Sequence, residues 1–253
     1  MNNRAKNSGG LIVTNASHQS KPVVVVTGAS QGIGAAIAER FASRVSGVQL
    51  ALVATNAERL SSVAQKCRAI GATAEIFPTD LNDNAQVECL AAEVHKTFGH
   101  VDVLINNAGR WRGGAAHEMS VSDFAQVLQD NLINMFAVTR AFLPPMLERG
   151  SGDVFLMSST SGLVGLANNA AYCAAKHGVA GFSKALRAEV AGRGIRVCCV
   201  YPGGTESPSW EGSGVDVKTL MSAEDVADVF VDAYQRSRRT VLEDIILRPL
   251  AAL

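Results

Sequence analysis

The sequence lacks both a long apolar run and an excess of charge of either sign. No stretch reaches the about 18 consecutive apolar residues that a transmembrane helix requires. Its 23 basic and 23 acidic residues give a formal net charge of zero. That balance indicates neither a nucleic-acid-binding surface nor a polybasic membrane patch, so we expect neither nucleic acid nor a membrane among the partners.

Paired cysteines and regularly spaced metal ligands are also missing. The five cysteines form no CxxC pair. Their odd number, without regular spacing, is typical of reduced thiols in a reducing compartment, which predicts a cytoplasmic protein. The five histidines show no ligand spacing such as HExxH, so we expect no catalytic metal.

Short apolar runs alternate with helical patterns from Pro22 onward. The predicted strands are residues 23–27, 49–54, 73–77, 101–106, 153–157, 195–201 and 241–247. The predicted helices are residues 33–45, 56–70, 83–98, 121–148, 170–192 and 223–237. Pro144 and Pro145 should kink or break the long fourth helix near its end. Such alternation is typical of βαβ units, which build a parallel sheet covered by helices on both faces.

The domain organisation follows from composition along the chain. Residues 22–253 contain no linker or shift in composition, which predicts a single domain. Residues 1–21 are rich in Asn, Ser and Gly and show no hydrophobic period, so we predict a disordered extension there. A targeting segment is the alternative, because the first acidic residue of the chain is Glu39.

A glycine-rich turn follows the first predicted strand directly. The chain from Thr27 to Gly34 reads TGASQGIG, with glycines at Gly28, Gly32 and Gly34. Glycine at such positions permits a tight turn and lets the backbone approach a pyrophosphate at the positive N-terminus of the next helix. The placement after an apolar strand predicts a dinucleotide site, whereas the missing GK[ST] excludes a P-loop nucleotidase.

Tyr172 and Lys176 lie four residues apart in the segment NAAYCAAKHGVAG, residues 169–181. At helical spacing they project from one face, about one turn apart. An ammonium beside a phenol favours the phenolate, so Lys176 should lower the pKa of Tyr172. Such a phenol exchanges a proton with an alcohol or carbonyl oxygen near neutral pH. An ordinary helix with an exposed Tyr and Lys is the alternative for this pair alone.

Taken together, these motifs resemble those of the short-chain dehydrogenase/reductase family over about residues 21–247. Further motifs fall in the family's order: Asp80-Leu81 after the third strand, Asn106-Asn107-Ala108-Gly109 after the fourth, Asn131 in the long helix, Ser159 thirteen residues before Tyr172, and Pro202-Gly203 after the sixth strand. The C-terminal Leu247-Arg248-Pro249 is similar to that of 3-ketoacyl-(acyl-carrier-protein) reductase-like members, a label that does not fix a substrate. The resemblance implies a three-layer αβα Rossmann fold with a doubly wound, seven-stranded parallel sheet.

The resemblance also implies an NAD(P)-dependent oxidoreductase that moves a hydride between a nicotinamide and a carbonyl or secondary alcohol. Ser159 would hold the reacting oxygen and Tyr172 would donate the proton. Lys176 would favour the tyrosinate and hold the nicotinamide ribose, and Asn131 would tie the lysine to bulk water through a bridging water. The implied cofactor contacts are Gly28, Ser30, Gln31, Gly32, Ile33, Gly34, Thr55, Asn56, Asp80, Leu81, Asn107, Ala108, Gly109, Tyr172, Lys176, Pro202, Gly203 and Thr205.

Two other functions compete with this one. A nucleotide-sensing regulator on the same fold is the first alternative, although such regulators usually lack the Tyr or the Lys, and both are present here. An enoyl reductase is the second, although those relatives usually space the two residues more widely than Tyr172 and Lys176.

The choice of nicotinamide rests on the end of the second strand. An acidic residue there would bind the ribose diol and repel a 2′-phosphate, but the chain reads Ala54-Thr55-Asn56. NADP-preferring relatives often carry Arg at the positions of Gln31 or Thr55, and neither is Arg here. We expect Ser30, Thr55 and Asn56 to receive the phosphate, so NADP(H) is favoured and NAD(H) remains possible.

Substrate contacts are expected from the loops after the fourth, fifth and sixth strands. They are Arg110, Trp111, Arg112 and His117, then Leu163 and Val164, then residues 204–219, a polar stretch that predicts a mobile lid. Trp111 and Trp210 would wall an apolar pocket, whereas solvation of Arg110 and Arg112 at the surface is favoured over binding of an anion. By resemblance, helices 121–148 and 170–192 pair with their copies in homodimers or homotetramers.

Overall fold

A computed structural model describes residues 21–207 and 215–252, and its centre is a parallel sheet. The strands are β1 Val23–Thr27, β2 Gln49–Ala54, β3 Thr73–Pro78, β4 Val103–Asn106, β5 Gly152–Met157, β6 Ile195–Pro202 and β7 Asp244–Leu247. Their order is β3-β2-β1-β4-β5-β6-β7, and every neighbouring pair is parallel. The order reverses between β1 and β4, and ligands bind beyond the carboxyl ends of strands at such a point.

Helices cover the sheet on both faces. They are α1 Gly32–Arg44, α2 Ala57–Ala69, α3 Asn84–Phe98, α4 Val121–Leu128, a π-helical segment Gln129–Ile133, α5 Asn134–Arg149, α6 Ala170–Glu189 and α7 Ala223–Tyr234. One core packs α1, α2 and α7 on the sheet, and the other packs α3, α5 and α6 on the opposite face. The predicted single-domain, doubly wound αβα fold is therefore confirmed. None of the described helices combines the length and apolarity of a membrane-spanning segment.

Strand β1 shows why the central strands read as continuous apolar runs. Its residues VVVVT are all buried. Successive side chains of a strand point to opposite faces, so Val24 and Val26 enter the first core and Val23 and Val25 the second. A central strand that is covered by helices on both faces is buried on both sides, so its sequence lacks the alternation of apolar and polar residues.

Of the two outcomes predicted for Pro144-Pro145, a kink or a break, the break is wrong, because α5 continues through both prolines to Arg149. A proline deprives an earlier carbonyl of its helical donor. Both prolines are exposed, so they lie on the solvent side of the helix. The flanking Phe142 and Met146 are buried in the second core, and their packing holds the helix together. The long predicted helix also contains the π-helical segment, which the sequence pattern did not indicate.

Four other predicted elements extend beyond the observed ones. Helix α6 ends at Glu189 rather than at residue 192, and α7 ends at Tyr234 rather than at residue 237. Strand β4 begins at Val103 rather than at residue 101, and β7 begins at Asp244 rather than at residue 241. After α6 the chain turns through Gly192 and Gly194, which both have positive φ. After α7 the carbonyls of Tyr234, Arg236 and Thr240 accept hydrogen bonds from Arg196, which holds this connection in an irregular conformation.

A buried ion cluster fixes that connection near the amino ends of the strands, on the side of the sheet away from their carboxyl ends. The side chain of Asp153, only 3% exposed, pairs with Arg196 and Arg238. Its oxygens accept from Nε and Nη2 of Arg196 at 2.5 and 2.8 Å, and from Nη1 of Arg238 at 2.8 Å. The hydrogen bond to Asp153 raises the pKa of Arg196. The cluster joins β5, β6 and the segment after α7.

We predict that Asp153→Asn destabilises the protein strongly. Removing one partner of a buried pair leaves an uncompensated charge and costs about 3–5 kcal/mol of unfolding free energy. The matched control is Glu75→Gln, which removes the exposed ion pair with Arg68 and should cost about 0–1 kcal/mol. Urea unfolding measures both, and an equal loss in the two variants would contradict the structural role of the cluster.

Candidate active site

The glycine-rich turn between β1 and α1 has a backbone that only glycine adopts readily. Gly28 and Gly32 have φ of 68° and 53°, in the left-handed region that disfavours other residues. A side chain at Gly34 would overlap the carbonyl oxygen of Gly28. A Cβ built on Gly32 meets nothing within 4 Å. The N-terminus of α1 is therefore open to an anion.

The segment after β4 braces this turn. Asn107 donates from Nδ2 to Thr27 O at 3.0 Å, and the backbone amides of Asn107 and Ala108 donate to Thr27 Oγ1 at 3.0 and 3.1 Å. These bonds connect the end of β1 with the end of β4, the two neighbouring strands between which the strand order reverses. Asn107 thus holds the turn in shape and places Ala108 and Gly109 beside it.

Ser159, Tyr172 and Lys176 come together at the carboxyl end of β5. Ser159 lies close enough to Tyr172 to lower the pKa of the phenol, and the ring centroid of Tyr172 lies 5.5 Å from Nζ of Lys176. Nζ is buried and donates to Met157 O at 2.9 Å. The neighbouring Ser158 is turned away, since its Oγ donates to Lys176 O at 3.0 Å.

The fourth predicted catalytic residue, Asn131, lies in the π-helical segment and is fully buried. Its Nδ2 donates to Arg110 O at 2.8 Å and Val127 O at 3.0 Å, and its Oδ1 accepts from Arg110 N at 3.2 Å. A Cβ on Gly109 would lie 2.6 Å from Oδ1 of Asn131 and 3.5 Å from Nζ of Lys176. Asn131 therefore fixes the loop after β4 close against the lysine.

The prediction that Lys176 lowers the pKa of Tyr172 is wrong in this structure. Burial raises the pKa of Tyr172 to about 12, and the nearby side chain of Ser159 offsets only part of that rise. Burial also lowers the pKa of Lys176 to about 8. The desolvation of the phenol dominates, while the lysine directs its hydrogen bond to Met157 O. The spacing of the pair in the sequence did not reveal that Lys176 is buried and Tyr172 partly buried.

Arg59 lies at the glycine-rich turn in the structure, although no sequence motif indicated it. Asn56 Oδ1 accepts from Arg59 N at 2.8 Å and caps α2. The guanidinium of Arg59 donates to Oε1 of Gln31. Helical side chains lean toward the N-terminus of their helix, so an Arg in the first turn of α2 can reach back to the turn after β1. The capping position of Asn56 was the signal that could have located it.

The remaining predicted cofactor residues lie along the same edge. Asp80 accepts from the backbone and side-chain amides of Asn82, both at 3.0 Å. Pro202 O accepts from Ser159 Oγ at 3.4 Å, and Thr205 Oγ1 donates to Gly203 O at 3.0 Å. Ser30, Leu81 and Ile33 are partly buried, and Thr55 is exposed. Trp210 and residues 208–214 of the predicted lid lie outside the described residues, as does the predicted extension up to residue 20.

Metal ligands do not gather at this edge. Within residues 21–207 and 215–252, no group of three or more His, Cys, Asp and Glu side chains is arranged to hold a metal ion. Ser159, Tyr172 and Lys176 are arranged so that they can transfer a proton, and the glycine-rich turn beside them suits a dinucleotide.

Comparison with known proteins places the chain among redox enzymes. A family model described as short chain dehydrogenase matches residues 22–217. Sepiapterin reductase of Chlorobaculum tepidum is 33% identical over 235 residues, which cover 90% of this chain and 96% of that protein. A metagenomic short-chain oxidoreductase solved with NADP is 32% identical with a TM-score of 0.79, and covers 90% of this chain and 96% of its own. Actinorhodin polyketide ketoreductase, solved as a variant with NADPH, is 30% identical with a TM-score of 0.82 and the same coverage of 90% and 96%.

We predict that the native protein forms no tyrosinate below about pH 10, the ordinary pKa of a free phenol. The chain has three tyrosines, and burial is the main cause that raises the pKa of Tyr172, Tyr201 and Tyr234. An ultraviolet pH titration of the purified protein measures this. A phenol that ionises near neutral pH, and that disappears in Tyr172→Phe, would contradict the dominance of burial.

Proposed function

The chain belongs to the short-chain dehydrogenase family, and from that premise we propose that it is an NADP(H)-dependent oxidoreductase acting on a carbonyl or secondary alcohol. The observation that carries the proposal is the convergence of Ser159, Tyr172 and Lys176 at the carboxyl end of β5. A regulator that only senses a nucleotide would not require a proton donor, an oxygen-binding hydroxyl and a buried ammonium in one place.

Two features of the chain suit a nicotinamide dinucleotide. The open N-terminus of α1 beside Gly32 suits the pyrophosphate. An ammonium has three donors, and among the described residues Lys176 uses one of them, to Met157 O. A buried donor without an acceptor is costly, so the hydroxyls of the nicotinamide ribose fit the remaining two.

The protein's own residues would then handle the proton. When bound, the nicotinamide supplies or accepts the hydride. As negative charge builds on the substrate oxygen, the hydroxyls of Ser159 and Tyr172 stabilise it, and Tyr172 passes its proton to it. Lys176 stabilises the tyrosinate left behind, and Asn131 keeps the loop after β4 against the lysine and, by the family resemblance, links the lysine to bulk water. In the reverse direction Tyr172 takes the proton from an alcohol.

The preference for NADP(H) is supported by Arg59. No acidic residue stands in Ala54-Thr55-Asn56 to repel a 2′-phosphate. The guanidinium of Arg59 reaches Gln31 at the glycine-rich turn, and its planar fork of donors matches a phosphate. NADP or NADPH is named in both solved structures compared above. We therefore assign the adenosine 2′-phosphate to Arg59 together with Ser30 and Thr55.

The cysteines support a reducing compartment, and we propose the cytoplasm. All five are unpaired. Burial raises the pKa of Cys67 and Cys198 to about 12, so these thiols remain protonated and act as small apolar side chains in the core.

The exposed apolar face of the long helix pair supports self-association. Phe136 on α5 is 50% exposed, and its ring packs edge-on against Phe182 of α6 with centroids 5.8 Å apart. Ile133 and Val121 are exposed on the preceding segments. On α6, a Cβ added at Gly181 would meet nothing within 4 Å. We propose that these helices pair with those of a second copy in a homodimer or homotetramer.

Tyr172→Phe should lower kcat for NADPH-dependent carbonyl reduction by about 10²- to 10⁴-fold, the usual contribution of a general acid. NADPH binding should stay nearly unchanged, because the phenol ring remains. The matched control is Tyr234→Phe, the same change beside Phe41 in the first core, which should retain activity. Normal turnover by Tyr172→Phe would reject the assignment.

A substrate screen with the wild type distinguishes the enzyme from the nucleotide-sensing regulator. Tight binding of NADPH without NADPH oxidation in the presence of ketones, aldehydes and β-ketoacyl thioesters would favour the regulator.

Arg59→Gln should reduce kcat/KM for NADPH by about tenfold or more, since a charged hydrogen bond is worth about 1.5–3 kcal/mol. The value for NADH should hardly change. Lys66→Gln is the matched control, because it removes a positive charge from the same helix that is paired with Glu39. An equal loss with both cofactors, or a clear preference of the wild type for NADH, would overturn the assignment.

Phe136→Asp should reduce the molar mass of the protein in solution, because a charge on the proposed interface disfavours contact with a second copy. Light scattering measures the mass of both proteins. A wild-type protein that is already monomeric would reject the proposed assembly.

A further inference from the structure

Two loops at the edge of the candidate active site are joined through their backbones. The loop after β4 spans residues 107–120, and residues 163–169 lead into α6. Gly114 N donates to Asn168 O at 2.7 Å, and Gly114 forms an isolated parallel bridge with Asn169. The loop after β4 therefore lies along the segment that ends one turn before Tyr172.

Asn169 occupies the N-cap position of α6 but does not cap the helix. An Asn at that position usually accepts a hydrogen bond from the first turn, as other residues do here. The capped helices are α2 by Asn56, α3 by Asp83, α4 by Ser120 and α7 by Ser222. In Asn169, Oδ1 instead accepts from Nε1 of Trp111 at 2.7 Å, and Nδ2 donates to Ala167 O at 2.8 Å. The Asn169 side chain thus accepts a hydrogen bond from Trp111 instead of capping α6.

Gly113 packs against Cζ2 and Cη2 of the Trp111 indole. A Cβ on Gly113 would lie 2.7 Å from Cζ2 of Trp111 and 3.0 Å from Asn168 O, so the ring lies directly against the glycine. Asn168 has φ of 58°, the one non-glycine residue with positive φ in the described ranges. Backbone strain of this kind persists where the surroundings enforce it. Trp111 is therefore fixed along its N–H edge and beside Gly113, yet it stays 56% exposed.

The loop that carries Trp111 contacts Lys176 and Asn131 through Gly109 and pairs through Gly114 with the segment before α6. The segment before α6 exposes Leu163, Val164 and Leu166. Of the two arginines that flank Trp111 in the sequence, Arg112 is paired with Asp123 at 2.7 Å and Arg110 is exposed. The exposed indole and the apolar side chains of the segment before α6 suit an uncharged, apolar ligand.

We propose that Trp111 is a specificity-determining residue of the oxidoreductase site put forward above, on which this inference rests. Its exposed indole face is a fixed wall that stacks on a planar ring attached to the substrate carbonyl, so the substrate class is an aryl ketone or aryl aldehyde. A ring that is already held loses little freedom when a ligand binds. Stacking then adds to the area that is buried.

The first test compares acetophenone, cyclohexyl methyl ketone and butanone as substrates with NADPH. The wild type should prefer acetophenone over the saturated ring, and Trp111→Ala should lower kcat/KM for acetophenone by about threefold to tenfold through KM, as expected for the loss of one stacked ring. Butanone should be little affected. Asn169→Ala keeps the indole but removes its acceptor, so it should lose part of the preference. An equal loss for all three ketones, or no preference in the wild type, would overturn the proposal.

The second test does not depend on turnover. Trp111 and Trp210 are the only tryptophans of the chain, so in a Trp210→Phe background the fluorescence reports Trp111 alone. With saturating NADP⁺, acetophenone should quench this signal at lower concentration than cyclohexyl methyl ketone. Quenching without reduction of any ketone would support stacking of the aryl ring on Trp111 while rejecting the redox function. Reduction of acetophenone without preferential quenching would reject stacking on Trp111 and leave the redox function intact.

Discussion

The buried ammonium of Lys176 is the group on which the candidate active site depends. It lies against the end of β5, where Nζ donates to Met157 O and the lysine's own carbonyl accepts from Ser158 Oγ. These two bonds fix α6 against the sheet and hold Tyr172 close to Ser159. Burial makes the charge costly and lowers its pKa to about 8. A charge kept in that position with spare donors suits a ligand rich in hydroxyl groups.

The two halves of the site meet where the strand order reverses. On the β1 side, Thr27 and the glycines form the turn that suits a pyrophosphate, and Asn107, directly after β4, holds it in shape. On the β4 side, Asn131 holds the next residues against Lys176. Side-chain amides thus form hydrogen bonds with the irregular backbone in both halves of the site. They do so because loops lack the regular backbone hydrogen bonds that pair the N–H and C=O groups of strands and helices.

Much of the fold could be predicted from the sequence, because apolar runs and glycines act locally. The strand at Val23–Thr27, the turn at Gly28 to Gly34 and the pair Tyr172 and Lys176 needed only periodicity and spacing. What failed depended on contacts between distant parts of the chain. The packing of Phe142 and Met146 overrode the prolines, the reach of Arg59 to Gln31 required a helix from the next unit, and the burial of Tyr172 reversed the expected direction of its pKa.

A crystal structure of the protein with bound NADP⁺ tests the central claim most directly. The account predicts that Nζ of Lys176 keeps its bond to Met157 O and donates its other hydrogens to the hydroxyls of the nicotinamide ribose, with the Tyr172 oxygen beside the nicotinamide ring. A lysine directed away from the ribose, or a Tyr172 oxygen out of reach of the ring, would contradict it.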